Sequence, residues 1–586
     1  MNILGLHEGH NATACLMKDG EIVACVSEER FQRKKNWAGY PEKAIEFCLK
    51  QGQINAEDLD AVAAQGFRVE IPESYNLDPQ KLIASKVEAF EKRKWERHVP
   101  ETVREMVHPY LEKRYKEKES TRGQALLAER KKRITKHLDI PESKIKVVEH
   151  HIAHGYYAYY ASPIRDDCLV LTCDEYGDGL SASVSSVIDG KFERIEKDPS
   201  FPSIGAVYAN TTLLLGFKPG EHEYKVMGLA PYAKLKDTMR AFPVFNELVH
   251  VDGLKFSGMD LRYKPLYLHL REKLVGHRFD WIAGALQKFL EDSLTKWVKN
   301  AIERTGIKIV TFSGGVAMNV KGNMAIAKMS EVENVFVAPS GGDESTGVGA
   351  AYKVMADYCD EHSIDKRKIK PLKDTYLGPE FSNTEIHDAI REVGLKNKYS
   401  IREGVDAKFI AEKLAENRII ARLSGRMEFG ARALGNRTIM ANPSDINNVR
   451  TLNEQIKQRD FWMPFTPTIL KKSEESYLLN PKGLHAPFMT LAFETTDLAR
   501  EHICAAIHPY DFSARPQVLF DQANRPYHEI IDEFHKITNI GAILNTSFNL
   551  HGYPIVCSPK DAIYTFENSG LDMLLCNDIL ISRVDV

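Results

Sequence analysis

Three histidines stand together in Glu149-His150-His151-x-x-His154. His150 and His154 are four residues apart. On a helix that spacing puts both imidazoles on one face, roughly 6 Å from each other, within reach of a shared metal ion. An isolated pair of this kind more often caps, packs or faces water, but two carboxylates change the weight. Asp174 closes an apolar strand in Asp174-Glu175-Tyr176-Gly177-Asp178-Gly179, and Asp343 follows another in Gly341-Gly342-Asp343-Glu344-Ser345-Thr346-Gly347. Strand ends are where ligands collect in α/β folds. If His150, His154, Asp174 and Asp343 converge, they form a two-histidine, two-aspartate set suited to iron(II), manganese or zinc.

Glycine turns are the second signal. His7-Glu8-Gly9-His10-Asn11, Gly177-Asp178-Gly179, Ser313-Gly314-Gly315 and Gly341-Gly342 each follow a strand-like run. Backbone amides in such turns can cradle an anion. One turn means little; four in one region point to a nucleotide-type ligand. No G-x-x-x-x-G-K-[ST] occurs, so this is not a P-loop chain.

The third signal is cationic. The stretch Gly425 to Arg437 places Arg426, Arg432 and Arg437 among glycines; Lys457, Arg459 and Arg515 follow, then Leu544-Asn545-Thr546-Ser547-Phe548-Asn549. Any single arginine more often pairs with a surface acid. A cluster in glycine-rich loops with little acid nearby favours anion binding, because guanidinium forks match phosphate oxygens and Asn and Ser add neutral donors. Such a set suits a triphosphate beside a second phosphoryl compound.

These residues need an α/β frame. Strand patterns occur at Asn2 to Leu6, Ala12 to Met17, Ile22 to Cys25, Ala61 to Phe67, Lys146 to Glu149, Cys168 to Asp174, Lys308 to Phe312 and Val335 to Pro339; Lys18-Asp19-Gly20 signals a tight turn. Helices are expected after Pro41 and around Trp281 to Thr305. Strands alternating with helices indicate an α/β fold. The strand–glycine–strand pattern near both Gly9 and Gly177 suggests a weak duplication within residues 1–360. A boundary near Pro371 to Ser382 divides a first domain, 1–375, from a second, 376–586. Residues 79–138 are charged and helix-prone, typified by Glu112 to Lys118, and read as a solvated helical insertion.

The chain has 586 residues, 43% hydrophobic and 27% charged, enough for two domains with full cores. A net charge of −3 argues against a large nucleic-acid-binding face. No apolar run reaches the roughly 18 residues needed to span a bilayer. The amino terminus reads directly into a strand, and the nine cysteines form no C-x-x-C pair. The expectation is a cytoplasmic protein with reduced thiols, not bound to membrane; the oligomeric state is open.

Together, His10-Asn11-Ala12-Thr13-Ala14, Ser27-Glu28-Glu29-Arg30-Phe31, Glu149 to His154, Lys225-Val226-Met227-Gly228-Leu229-Ala230, Ser313-Gly314-Gly315-Val316-Ala317-x-Asn319, the arginine run, Phe461-Trp462-Met463-Pro464-Phe465 and Asn545 to Asn549 resemble the O-carbamoyltransferases of nodulation-factor and antibiotic biosynthesis. The resemblance spans nearly the whole chain. It implies an actin-like ATPase-type α/β domain of the TsaD kind, followed by a YrdC-like α/β domain. The second domain would make carbamoyl adenylate from carbamoyl phosphate and ATP, with magnesium accompanying ATP, and the first would pass the carbamoyl group to a hydroxyl of a small-molecule acceptor. By motif position, His150, His154, Asp174 and Asp343 fall on the family's metal ligands, with iron(II) the implied ion. Arg432, Arg437, Lys457, Arg515, Asn545 and Ser547 fall on the adenylate-forming site. Gly177, Gly314, Gly315, Asn319 and Gly342 fall on the first-domain adenylate site, and His10 falls beside the acceptor. Ala431 stands where the family usually has proline, and Asn11 where aspartate is common. The long insertion leaves the acceptor open. A metal-dependent ATPase or small-molecule kinase of the same fold, or a nucleotide-binding module without catalysis, are the competing readings; neither needs the arginine-rich second site.

Overall fold

The apolar runs at the amino terminus form a hairpin and a third strand: β1 (Asn2–His7), β2 (Thr13–Lys18) and β3 (Glu21–Ser27). With β4 (Ala61–Gln65) and β5 (Ile145–Val148) they build a five-stranded sheet of order β3-β2-β1-β4-β5. Strands β1 to β3 pair antiparallel, whereas β1, β4 and β5 pair parallel. The computed structural model describes residues 1–67, 78–92, 121–259, 261, 265–457 and 459–583.

The same plan recurs. Strands β6 (Cys168–Gly177), β7 (Leu180–Ile188) and β8 (Lys191–Pro199) pair antiparallel. A two-stranded hairpin, β9 (Val249–Asp252) and β10 (Lys255–Gly258), stands apart. Strands β11 (Ile309–Ser313) and β12 (Asn334–Val337) then extend β6 in parallel, giving the order β12-β11-β6-β7-β8. Two sheets of identical connectivity make the expected duplication explicit and give the first domain its actin-like α/β form. Gly9 and Gly177 occupy equivalent places, at the first hairpin of each sheet.

The helix His150–Tyr160 and the helix Thr346–Glu361 lie between the sheets, and their contact is unusually close. A Cβ on Gly349 would stand 1.8 Å from the Ala153 carbonyl oxygen, so only glycine fits. This contact brings the helix carrying His150 and His154 against the helix that begins three residues after Asp343. The long helix Phe279–Thr305 buries Trp297 and ends at Gly306, whose φ of 76° is a left-handed stop.

The insertion is less solvated than its composition suggests. Helix Pro79–Lys92 is largely exposed, but helix 121–138 buries Arg130, Ile134 and Leu138. Arg130 pairs with the buried Glu8 and donates to the Gln65 carbonyl at 2.9 Å, clamping the ends of β1 and β4. Glu112 to Lys118 lie outside the described residues.

After a connecting segment, a second α/β unit begins with helix Asn383–Val393. Its eight strands are β13 (Ser400–Arg402), β14 (Ile420–Leu423), β15 (Arg437–Ala441), β16 (Thr466–Leu470), β17 (Gln517–Leu519), β18 (Ala542–Ser547), β19 (Met573–Cys576) and β20 (Ile579–Ser582). Their order is β13-β20-β19-β14-β15-β18-β16-β17. Trp462 donates to the Lys225 carbonyl at 3.1 Å, His508 Nε2 lies 2.9 Å from the Gly228 carbonyl oxygen, and Arg30 donates to the Gly430 carbonyl at 2.8 Å, so the two units share a polar seam. Among the described residues, no helix is long and apolar enough to cross a membrane.

The Gly349 contact is testable. Helix propensity alone favours Gly349→Ala by about 1 kcal/mol. Overpacking against an immobile carbonyl costs roughly 1–3 kcal/mol, occasionally more. Urea unfolding of the metal-free variant is expected to show a net loss of stability. A gain would mean the two helices have room to separate.

Candidate functional site

The strand-end signals converge. Glu149 caps helix His150–Tyr160 by accepting from the backbone N–H groups of His151 and Ile152, which fixes where the first turn points. Asp174 projects from β6, and Asp343 from the turn after β12. One donor atom from each of His150, His154, Asp174 and Asp343 lies within 4.8 Å of all the others. His150 Nε2 is 3.4 Å from Asp174 Oδ2 and 3.6 Å from Asp343 Oδ1; His154 Nε2 is 3.2 Å and 3.5 Å from the same two atoms. His154 Nε2 is buried and faces both carboxylates without good hydrogen-bond geometry to either. An imidazole nitrogen so aimed between two carboxylates fits a divalent-ion site.

Electrostatics agree. Burial opposes protonation of His154, yet Asp174 and Asp343 outweigh it and raise its pKa to about 9. Burial also disfavours the charged form of Asp174, and the two imidazoles reverse this, holding its carboxyl well below the ordinary range. The His154 Nδ1 lies 3.3 Å from the Ser313 hydroxyl, which orients the ring.

Some of the glycines serve these ligands instead of a phosphate. A Cβ on Gly177 would stand 2.2 Å from the His150 ring, and one on Gly315 would stand 2.7 Å from Asp174 Oδ1. Gly314, at φ 103°, packs on the Cys173 carbonyl, where a Cβ would sit 2.2 Å from its oxygen. Gly177 and Gly314, expected at the adenylate site, do not line the cavity described below; they make room for His150 and Cys173. Gly315, Gly342 and Asn319 do line the cavity. Asn319 also caps helix Val320–Lys328.

That cavity, about 530 Å³, is shared by both domains. Asp174, Asp343 and His10 lie on one side, and Arg432, Lys457, Arg459 and Arg515 contribute from the second domain. Arg515 Nε is buried without a hydrogen-bond partner among the described residues. Burial lowers the pKa of Arg515, and repulsion from Arg432 and Arg459 lowers it further. Burial likewise takes Arg432 down to about 10. Three half-buried guanidiniums, two of which repel the third and none of which is ion-paired among the described residues, suit a polyanion.

The remaining predicted residues divide. Lys457 Nζ donates to Asn549 Oδ1 at 2.7 Å and lies 3.2 Å from Ser547 Oγ, so it braces the loop after β18 at the cavity wall. Asn545 lines the cavity but uses its amide on the Ala433 carbonyl and Thr468 hydroxyl, each at 3.0 Å. Arg437 does not line it. Its guanidinium donates to the carbonyls of Cys557, Ser424, Gly425, Asn436 and Pro379, tying three loops together, so in this structure its donors brace the backbone around the site. His10 lines the cavity with Nδ1 3.6 Å from Asp343 Oδ2. Two neutral contributors were given no site role by the sequence reading: Ser313, quoted there only within its glycine turn, and Gln65, which lies beside His150. Both are polar residues ending apolar strands, the same signal that picked out Asp174.

A doubled α/β sheet domain joined through a charged cavity to a second α/β unit defines a two-domain enzyme class, and comparison with known proteins gives the family. The chain belongs to the carbamoyltransferase family: the Carbamoyltransferase N-terminus model matches residues 2–352 and the Carbamoyltransferase C-terminus model matches 411–583. The protein MJ1051 of Methanocaldococcus jannaschii is 33% identical over 99% of this chain and 100% of its own length. Nodulation protein NolNO of Sinorhizobium fredii is 28% identical, covering 98% of this chain and 79% of its own. Nodulation protein U of Rhizobium tropici is 25% identical over 100% and 96%. Among solved structures, HypF of T. kodakarensis matches 63% of this chain and 48% of its own at 15% identity with a TM-score of 0.32. Component A of Acidaminococcus fermentans (R)-2-hydroxyglutaryl-CoA dehydratase matches 61% and 99% at 15% identity, also with a TM-score of 0.32.

The raised His154 pKa sets a pH dependence. A metal ion must displace the proton that His154 keeps up to about pH 9. Metal affinity is therefore expected to rise by about tenfold per pH unit between neutrality and that value. Titrations of metal-stripped protein with cobalt(II) across this range check it; pH-independent affinity would contradict the site.

Proposed function

We propose that this carbamoyltransferase forms carbamoyl adenylate at its arginine wall and carbamoylates a small-molecule hydroxyl at its histidine–aspartate wall. Carbamoyl phosphate, ATP and water would give carbamoyl adenylate, phosphate and pyrophosphate; the acceptor alcohol would then give the carbamate ester, AMP and a proton. The observation that carries this reading is the shared cavity, with Arg432, Arg459 and Arg515 on one side and, on the other, Asp174 and Asp343, the two carboxylates of the two-histidine, two-aspartate cluster.

Arg432, Arg459 and Arg515 hold the phosphates of ATP and carbamoyl phosphate, offsetting charge that builds as pyrophosphate leaves. Magnesium accompanies the ATP. Lys457 keeps Ser547 and Asn549 presented to the same phosphates. His150, His154, Asp174 and Asp343 are suited to iron(II), manganese or zinc, and iron(II) is the ion we favour. When bound, such an ion supplies Lewis-acid polarisation and a template for the carbamoyl group. His10 is placed to take the acceptor proton, with Asp343 beside it to stabilise the imidazolium that forms. A site enclosed by both domains also keeps water from the mixed anhydride.

Two assays test the reading. Carbamoyl-phosphate-dependent pyrophosphate release should fall ~100-fold in Arg432→Ala and Arg515→Ala, the usual worth of one transition-state charge contact. It should persist in His10→Asn, whose transfer to acceptor should instead drop ~100-fold, the scale of a general base. ATP consumption that ignores carbamoyl phosphate would favour an ATPase or kinase, and nucleotide binding without pyrophosphate release would favour a non-catalytic module.

A further inference from the structure

Gln65 ends β4 inside the wall behind the metal cluster and is 2% exposed. Its amide is seated with Oε1 2.8 Å from His7 Nδ1 and Nε2 2.8 Å from His150 Nδ1, and the Thr346 hydroxyl lies 3.2 Å from the same His7 nitrogen. His7 Nε2 in turn lies 2.8 Å from the His10 carbonyl oxygen. These contacts form one buried line from a proposed metal ligand to the turn that carries His10.

Proton counting sets the direction of that line. A carbonyl oxygen only accepts, so His7 Nε2 carries a hydrogen. His7 is enclosed, and its burial disfavours the charged form. A neutral ring has one N–H, so His7 Nδ1 must accept, and the hydrogen-bond network calls for the amide turned end for end from that seating, with its NH2 group toward His7. The amide oxygen then faces His150 Nδ1, which must donate. The opposite seating would require an imidazolium at His7 and would put the His150 hydrogen on Nε2, where Asp174 and Asp343 gather.

Resting on the metal-centre reading, we infer that Gln65 is a positioning residue: it accepts from His150 Nδ1–H, leaves His150 Nε2 free as a metal donor, and through His7 joins that ligand to the His10 turn. The backbone of Gln65 is fixed for this by Arg130 of the insertion, which donates to the Gln65 carbonyl. This gives the charged insertion a role in the site. Hydrogen-bond partners behind a ligating histidine typically change metal affinity 10–100-fold when lost.

The test compares four proteins as metal-stripped full chains: wild type, Gln65→Leu, Gln65→Glu and His154→Ala. Cobalt(II) affinity is read from its visible spectrum, and thermal unfolding is measured without metal. Gln65→Leu is expected to bind cobalt(II) roughly 10–100-fold more weakly. Gln65→Glu, whose carboxylate can still accept from His150 Nδ1–H, is expected to bind within a few-fold of wild type. Should the leucine variant fail to fold, Gln65→Met gives the same contrast with Gln65→Glu. Wild-type affinity in Gln65→Leu, or equal weakening in the leucine and glutamate variants, overturns the relay and leaves Gln65 a packing residue. Wild-type affinity in His154→Ala overturns the metal centre itself, and the relay with it.

Discussion

Asp174 and Asp343 share one small enclosed space, where burial and then the charge of Asp174 work against ionisation of Asp343, and the facing His150, His154 and His10 outweigh both and hold its carboxyl below the ordinary range. Two carboxylates so placed persist only with compensating charge. Protonated histidines supply it here, and a divalent ion would supply it in their place. Much of the first domain serves this constraint. The duplicated sheets bring β6 and β12 to one end of the domain, Gly349 lets two helices approach closely enough to bring the four donors together, and Gly177 and Gly315 clear space for His150 and Asp174.

The second domain presents the opposite problem. Arg432, Arg459 and Arg515 stand half-buried beside one another, with no carboxylate ion-paired to them among the described residues. A ligand-free protein holds these charges at a cost, and a bound polyanion relieves it. On the proposed mechanism, the arginines and the two aspartates facing one cavity would let an anionic intermediate made at one wall reach the other without entering bulk water. The seam at Trp462, His508 and Arg30 holds the two walls in register.

Local signals in the sequence were informative where geometry is local. Helical spacing placed His150 and His154 on one face, and apolar runs ending in acid placed Asp174 and Asp343 at strand ends. The doubled sheet was visible only faintly, through Gly9 and Gly177. Side-chain direction was not legible. Arg432 and Arg437 sit five residues apart in one glycine-rich run, yet one faces the cavity and the other spends its donors on backbone carbonyls. Nor does a glycine after a strand reveal whether it admits a phosphate or, as at Gly177, an imidazole. Gln65 carried only the faint signal of a polar residue at a strand end, and Arg130 none, since an arginine in a charged helix acquires its role only from what the fold packs against it.

The most direct measurement is a crystal structure of the anaerobically prepared iron(II) protein with ATP, read with anomalous scattering at the iron edge. The account predicts a single strong anomalous peak bounded by His150, His154, Asp174 and Asp343, with the triphosphate against Arg432, Arg459 and Arg515 in the same cavity. Iron bound away from those four side chains, or a nucleotide seated outside the shared cavity, would contradict it.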